Sequence, residues 1–355
     1  MTAARAVLDR RTFLASCGAS AMAASGTVTA SSQAAVKLKA INPTRSVSSW
    51  PMWLAIEAGY FAKYGLEVAP TFGVHPVGIA GLMSEEIQYT NYSLDDSAAA
   101  SVRDPVLMVV GSILHRGSFA LMARAELKSV QELKGKRFGV GRVGDPPYHY
   151  TVGLFKDYGM KASDVQWVPT GADASARVTM LISGQIEAAL ITSPAWYRLE
   201  QQGLKPLTLL EDHESMVVTV GNTYKKSWLA KHPDVPERIL RAQGEAVHRL
   251  YSDKPAAITA YRKYDQSISE VDAARVYDNV VRVGLLDRIP LVQTSAVAAV
   301  IDRIGTDIPV VKTFDFSRLI NNRPVRKLID EGFFEELYGP GIKAEQDKKL
   351  KAAFA

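Results

Sequence analysis

Only one cysteine, Cys17, occurs in the 355 residues. A chain cut anywhere downstream of it has no disulfide, no thiolate nucleophile and no cysteine-ligated metal. Histidine is also sparse: the six are scattered, and His75, His115 and His149 fall in loops or at helix starts without metal-ligand spacing. No apolar run reaches the ~20 residues that a spanning helix needs. Neither sign of charge dominates, since 42 Lys and Arg against 37 Asp and Glu leave +5, of which Arg5, Arg10, Arg11 and Asp9 account for +2. The remainder is too small to argue for nucleic acid as a partner.

Catalytic motifs are missing too. The sequence has no G-x-S-x-G elbow, Walker A loop or H-E-x-x-H, and the run from Gly139 to Gly144 has the wrong last interval for G-x-G-x-x-G. No metal or cofactor is expected.

What is present is apolar residue in quantity, 47% of the chain, enough for a large core more naturally divided into two lobes than one. Residues 9–14, D-R-R-T-F-L, precede a small-residue tract and a Ser/Thr/Ala-rich stretch, the pattern of a twin-arginine export signal. Residues 1–35 are therefore expected to be signal peptide and leader, with an Ala-x-Ala site at Ala21 to Ala23 and looser candidates ending at Ala30 or Ala34. Residues 14–17 fit a lipobox, but only Thr12 and Phe13 separate it from Arg11, so lipid anchoring through Cys17 is not expected.

Residues 49–68, S-W-P-M-W-L-A-I-E-A-G-Y-F-A-K-Y-G-L-E-V, predict two short helices and the start of a strand. Ser49 is placed to N-cap the first helix, with Pro51 in its first turn and Gly59 ending it. This segment resembles the start of the periplasmic substrate-binding proteins of the nitrate, sulfonate, taurine and thiamine-precursor transporter group. A second piece, L-K-G-K-R-F-G-V at residues 133–140, is similar to the opening of the second lobe in many two-lobed binding proteins.

The rest of the chain alternates in the same way. Strands are predicted over residues 36–41, 87–92, 106–114, 119–123, 166–168, 186–191 and 204–210, separated by helices that stop at glycines such as Gly159, Gly184 and Gly203. Residues 216–220 read as a return crossing, and beyond Tyr224 the pattern is helical, including one long helix over residues 317–337. The order implies an α/β chain with the type II periplasmic-binding-protein fold, two doubly wound lobes joined by two hinge crossings. Lobe 1 takes residues 36–117 and 219–355, and lobe 2 takes 118–218.

In open α/β sheets ligands lie beyond the carboxyl ends of the strands, which selects a set of loops. Lobe 1 offers Ser48, Ser49 and Trp50, then Asn91, Tyr92 and Asp95, and near the first crossing Arg116. Lobe 2 offers Arg142, Asp145 and Tyr148, then Ser193 and Trp196. Several have a second reading. Trp50 and Trp196 could equally be packing residues, Asp95 or its neighbour Asp96 a helix cap, and Arg116 a solvated hinge residue. The resemblance implies a Gly/Ser-rich loop where this chain has Gly144-Asp145-Pro146-Pro147-Tyr148. Two prolines remove two N–H donors and a ring is added, which favours an aromatic or heterocyclic ligand over a small sulfonate or nitrate.

The implied function is an exported, periplasmic, monomeric solute-binding protein. It captures a small organic or oxyanion ligand of sulfonate, nitrate, taurine, pyrimidine or aromatic type and delivers it to an inner-membrane ABC permease. The alternative is a periplasmic enzyme on the same scaffold acting on a heterocyclic substrate. The thiamine-pyrimidine enzymes with this fold carry a C-C-C-F-C motif that is missing here.

Overall fold

The structure, a computed structural model, describes residues 34–42, 44–171, 174–213 and 217–355. The export signal and Cys17 lie outside the described residues.

Two five-stranded sheets organise the chain. The first contains β1 (Val36–Asn42), β2 (Leu66–Phe72), β3 (Tyr89–Ser93), β4 (Leu107–Arg116) and β10 (Val217–Lys225), in the order β2-β1-β3-β10-β4. The second contains β5 (Phe119–Ala123), β6 (Arg137–Val140), β7 (Gln166–Pro169), β8 (Ala188–Thr192) and β9 (Lys205–Leu209), in the order β7-β6-β8-β5-β9. Only Gly117 and Ser118 separate β4 from β5, and the chain comes back into β10 after a short turn at Leu210–Asp212. These are the two crossings.

The sheets are not wholly parallel. β10 runs antiparallel to both β3 and β4, and β5 runs antiparallel to both β8 and β9. The crossings dictate this. β1, β3 and β4 run toward the hinge, so a chain arriving from the hinge must run the other way when it joins their sheet. The same holds for β5 in the second sheet.

Two predicted elements differ from the structure. The return strand is longer than residues 216–220, because Asn222, Thr223 and Tyr224, all buried, go on pairing between β3 and β4. The helix predicted over 317–337 is three pieces: a 3-10 turn at Phe316–Arg318 and helices Arg323–Asp330 and Phe333–Tyr338. Pro324 lacks the N–H a helix interior needs and sits in a first turn, while Gly332 at φ 74° ends one helix and starts the next.

The opening helix is Trp50–Glu57, entered through a 3-10 turn at Val47–Ser49. Ser49 does not cap it. At φ −89° and ψ −15° its hydroxyl points back, donating to the Thr44 carbonyl at 2.9 Å and accepting from Asn42 Nδ2 at 2.6 Å. The aromatic residues of this helix go into the core. Trp50 and Trp53 meet Tyr261 edge-on at 4.7 and 5.1 Å, and Trp53 stacks on Tyr264 at 5.3 Å. Helix Val235–Ser252 lies behind them with Ile239, Leu240, Ala246 and Leu250 buried. Each fully buried indole contributes several kcal/mol, on the order of 3–5, which makes this cluster a main anchor of lobe 1.

Candidate functional site

The carboxyl ends of β1, β3 and β4 face those of β6, β7 and β8, and a cavity of about 410 Å³ lies between them. Its lobe 1 wall begins with a ladder of hydroxyls in the loop after β1. Thr44 Oγ1 donates to Ser46 Oγ at 2.9 Å, and Ser46 Oγ lies 3.0 Å from Ser48 Oγ. The wall continues through His75 and Pro76 after β2, and through Asn91, Ser93 and Asp96 after β3. Leu114, Gly117, Ser118, Phe119, Val218 and Val220 floor the cavity at the crossings. Lobe 2 adds Gly141, Arg142, Asp145, Pro146, Pro147, Tyr150, Gly171, Arg177 and Thr192.

Each polar group in the wall has a local cause. Ser93 ends β3 in extended conformation and caps helix Leu94–Ser101, its hydroxyl accepting from Asp96 N at 3.2 Å and bonding to the Asp96 carboxylate. His75 rests edge-on against Tyr92 at 4.7 Å and places Nε2 at 3.6 Å from Asp96 Oδ2. Burial pushes the Asp96 carboxyl up from its ordinary value, against the pull of His75 and Ser93. Asp145 caps helix Pro146–Asp157, accepting from Tyr148 N at 2.9 Å and from Arg142 N at 3.1 Å. Arg177, only 4% exposed, comes from helix Ala174–Ile182 and brings a cation to the lobe 2 wall. A side chain on Gly141 would collide with Asp145 Oδ2 at 2.3 Å, so glycine there lets the acid and the guanidinium approach the backbone.

Four of the residues selected from sequence line this cavity: Ser48, Asn91, Arg142 and Asp145. Asn91 is 1% exposed, and neither atom of its amide has a hydrogen-bond partner among the described residues. The others stand elsewhere. Ser49 lies beneath the hydroxyl ladder, held by Asn42 and Thr44. Trp50 is fully buried, its indole N–H donating to the Ala257 carbonyl at 2.8 Å. Tyr92 points away from the cavity and donates to Gly73 O at 2.8 Å. Asp95 is clasped by Arg303, with Nε and Nη2 at 2.8 and 2.9 Å from its two oxygens. Arg116 opens onto the other side of the crossing strand. Tyr148 packs edge-on against Trp167 at 4.7 Å, Ser193 is buried beside Ser118, and Trp196 packs on Tyr197 at 3.9 Å. The tryptophan walls expected on both sides of the cleft are therefore core contacts, because a helix start also has a face turned to its own sheet.

Sequence reasoning passed over His75, Phe119, Tyr150 and Arg177. Three left a trace. His75 follows the strand residues 66–72 in a V-H-P helix start, Phe119 follows the Gly117-Ser118 crossing, and Arg177 is the one cation in A-S-A-R-V-T-M-L-I. Tyr150 left none, being four residues into its helix. The Arg303 guanidinium lies over its ring at 5.3 Å. Lobe 2 thus seats a ring on the Asp95–Arg303 pair of lobe 1, and burial drives the Tyr150 hydroxyl pKa well up.

Further contacts join the lobes on both flanks. Lys156 Nζ lies 2.6 Å from Asp302 Oδ2 on one side. On the other, Arg275 reaches Glu200 at 2.6 Å and covers the Tyr197 ring at 4.2 Å, while Gln201 donates to Asp272 at 3.1 Å. Among the described residues no group of histidines, cysteines and carboxylates could hold a metal ion.

Comparison with known proteins places this architecture. The fold is similar to that of the periplasmic sulfonate-binding protein SsuA of Methylobacillus flagellatus KT, with a TM-score of 0.67, 18% identity, and coverage of 85% of this chain and 96% of that one. It is similar to the aliphatic sulphonate binding protein SsuA of Escherichia coli, with a TM-score of 0.66, 16% identity and coverage of 80% and 96%. The desulfurization enzyme DSZB shares it at a TM-score of 0.59, 14% identity and coverage of 83% and 99%. At these identities the likeness establishes the fold. Two curated relatives are 4,5-dihydroxyphthalate decarboxylases. That of Comamonas testosteroni is 30% identical over 99 residues, 26% of this chain, and that of Pseudomonas putida is 28% identical over 103 residues, 27% of this chain. The chain spans only 28% and 38% of the length of those relatives. The NMT1/THI5-like family model matches residues 47–257, more than half of the sequence, and the chain belongs to that family.

Proposed function

We propose that this protein is a solute-binding protein, exported to the periplasm by the twin-arginine route, which captures a small organic anion with a flat apolar body. It passes the closed complex to an inner-membrane ABC permease. The observation that carries this reading is the cavity itself, lined from both lobes and combining the buried Arg177 with Pro146, Pro147, Phe119 and Tyr150. Few convergent polar groups in a mostly apolar concavity are the usual form of a small-molecule site. A ligand touching both walls binds the closed arrangement better than an open one, and that difference moves the lobes. Arg142 and the hydroxyl ladder supply further polar contacts, while Pro146 and Pro147 give ring-like surfaces in place of two N–H donors. No helix among the described residues is long and apolar enough to cross a membrane.

A thermal-shift screen over sulfonates, nitrate, taurine, pyrimidines and aromatic acids tests the reading. A true ligand at ~100 times its dissociation constant adds about 2.7 kcal/mol to stability. Absence of a shift with every class, together with no small molecule co-purifying with the protein, would refute it.

A second reading is an enzyme acting on an aromatic or heterocyclic acid. Two observations favour it: the decarboxylase relatives, and the His75–Asp96 contact inside the cavity, where a carboxyl whose pKa burial raises stands beside an imidazole. Recovery of the bound compound unchanged after long incubation supports the binder, and its conversion supports the enzyme.

A further inference from the structure

Behind the crossing strands lies a second cavity, of about 970 Å³. Leu114 and Val218 face the cleft, while their neighbours His115 and Val217 face this rear cavity, as alternation along a strand requires. Three segments meet there: the end of β4, the loop at residues 284–288, and helix Lys343–Ala352. The loop is fixed to β4 by the Asp287 N–H donating to Ile113 O at 3.0 Å. Asp287, its side chain 9% exposed, bonds both His115 Nδ1 and Lys349 Nζ. Burial works against its charge, but His115 and Lys349 together hold its carboxyl below the ordinary value.

The charges in this wall do not balance. Arg116, Arg288, Lys348 and Lys349 meet only Asp287 and Glu345. Glu345 is occupied by Arg288 and Asp287 by Lys349, so Arg116 and Lys348 have no carboxylate partner among the described residues. His115 Nε2, in the same wall, is buried without a hydrogen-bond partner, a condition that an ordered ion or water ordinarily relieves. We infer that the rear cavity binds a small multivalent anion, a polycarboxylate or a phosphate, between the end of β4 and the C-terminal helix. Charge-assisted hydrogen bonds from a guanidinium and an ammonium are the strong kind for such groups. The site is separate from the cleft and does not depend on what the cleft binds. Its position at the base of the hinge joins Arg116, where the chain leaves lobe 1, to Lys348.

The test is isothermal titration calorimetry of the full chain with citrate and with inorganic phosphate, ionic strength being held constant with sodium chloride. Saturable binding of at least one anion is expected, and the arm that binds identifies the source. The exposed pair Arg116→Glu with Lys348→Glu should weaken it at least tenfold, about 1.4 kcal/mol. The milder Arg116→Gln with Lys348→Gln should fall between, and Arg177→Ala in the cleft should leave it unchanged. The inference is overturned if neither anion binds, or if Arg177→Ala abolishes binding while the rear variants keep it, which would place the anion in the cleft.

Discussion

Arg303 clasps both carboxylate oxygens of Asp95, at 2.8 and 2.9 Å, and spends its remaining nitrogen on the Val217 carbonyl at 2.6 Å. The pair is buried, 4% and 3% exposed in its side chains. Asp95 is thereby taken out of ligand chemistry, and its neighbour Asp96 faces the cavity instead. The pair also fastens helix Thr294–Ile304 to the return strand β10 and forms the seat for Tyr150 of the opposite lobe.

Breaking that pair from one side should be costly. Arg303→Ala leaves a buried carboxylate without its partner and is expected to lower stability by about 3–5 kcal/mol. Asp95→Asn leaves the guanidinium buried and should also destabilise. Denaturant melts of the two variants check this, and two unchanged midpoints would remove the pair from the fold's support.

For ligand capture the informative residues are Arg177 and Tyr150. Loss of a hydrogen bond to a charged group costs about 1.5–3 kcal/mol, so Arg177→Ala should weaken an anionic ligand by roughly ten- to a hundredfold. Tyr150→Phe removes only the hydroxyl, and its loss should be smaller than that of Tyr150→Ala, which also removes the ring that Arg303 covers. Affinities measured for the compound found by thermal shift decide both.

Trp50 now carries a stability prediction in place of a binding one. Its indole is fully buried, so Trp50→Ala should cost about 3–5 kcal/mol, while the folded fraction binds ligand with unchanged affinity. A normal melting temperature with lost binding would return the residue to the site.

The two perturbed aspartates should act oppositely with pH. Asp287 is held below its ordinary value, so the stability it contributes is present above the ordinary carboxylate range and disappears as pH falls through its lowered pKa. Asp96 is raised by burial, so its contribution is full at pH below the ordinary carboxylate range and is lost as pH rises through its raised pKa. Melting temperature against pH for wild type, Asp287→Asn and Asp96→Asn separates them. The first variant should flatten the acid limb, and the second should remove the decline above it.

Much of the architecture was legible along the chain, since strand and helix periods, glycine stops and capping residues are local properties. Phe119–Ala123 and Thr294–Ile304 coincide with the predicted elements for that reason. The loops at the carboxyl ends of the strands were legible as well, and Ser48, Asn91, Arg142 and Asp145 lie in the cavity wall. What could not be read was the direction of a side chain within such a loop. Asp95 and Asp96 are adjacent and chemically alike, yet one meets Arg303, which is 208 residues away, and the other faces the cleft.

By itself, then, the sequence determined the alternation of elements, the two crossings, the scarcity of thiol chemistry and the loops from which a site could be built. The tertiary structure decided which residues of those loops are available. It sent Trp50 inward because its ring finds Tyr261 and Tyr277 on helices distant in sequence, and it packed Trp196 on its neighbour Tyr197. It put Arg116, the last residue of β4, in the rear wall beside His115, where the strand ends and its alternation no longer fixes the side a residue takes. It put Arg177 and Tyr150 in the cavity wall, because the helices that carry them, Ala174–Ile182 and Pro146–Asp157, are set beside the cleft by the packing of the second sheet.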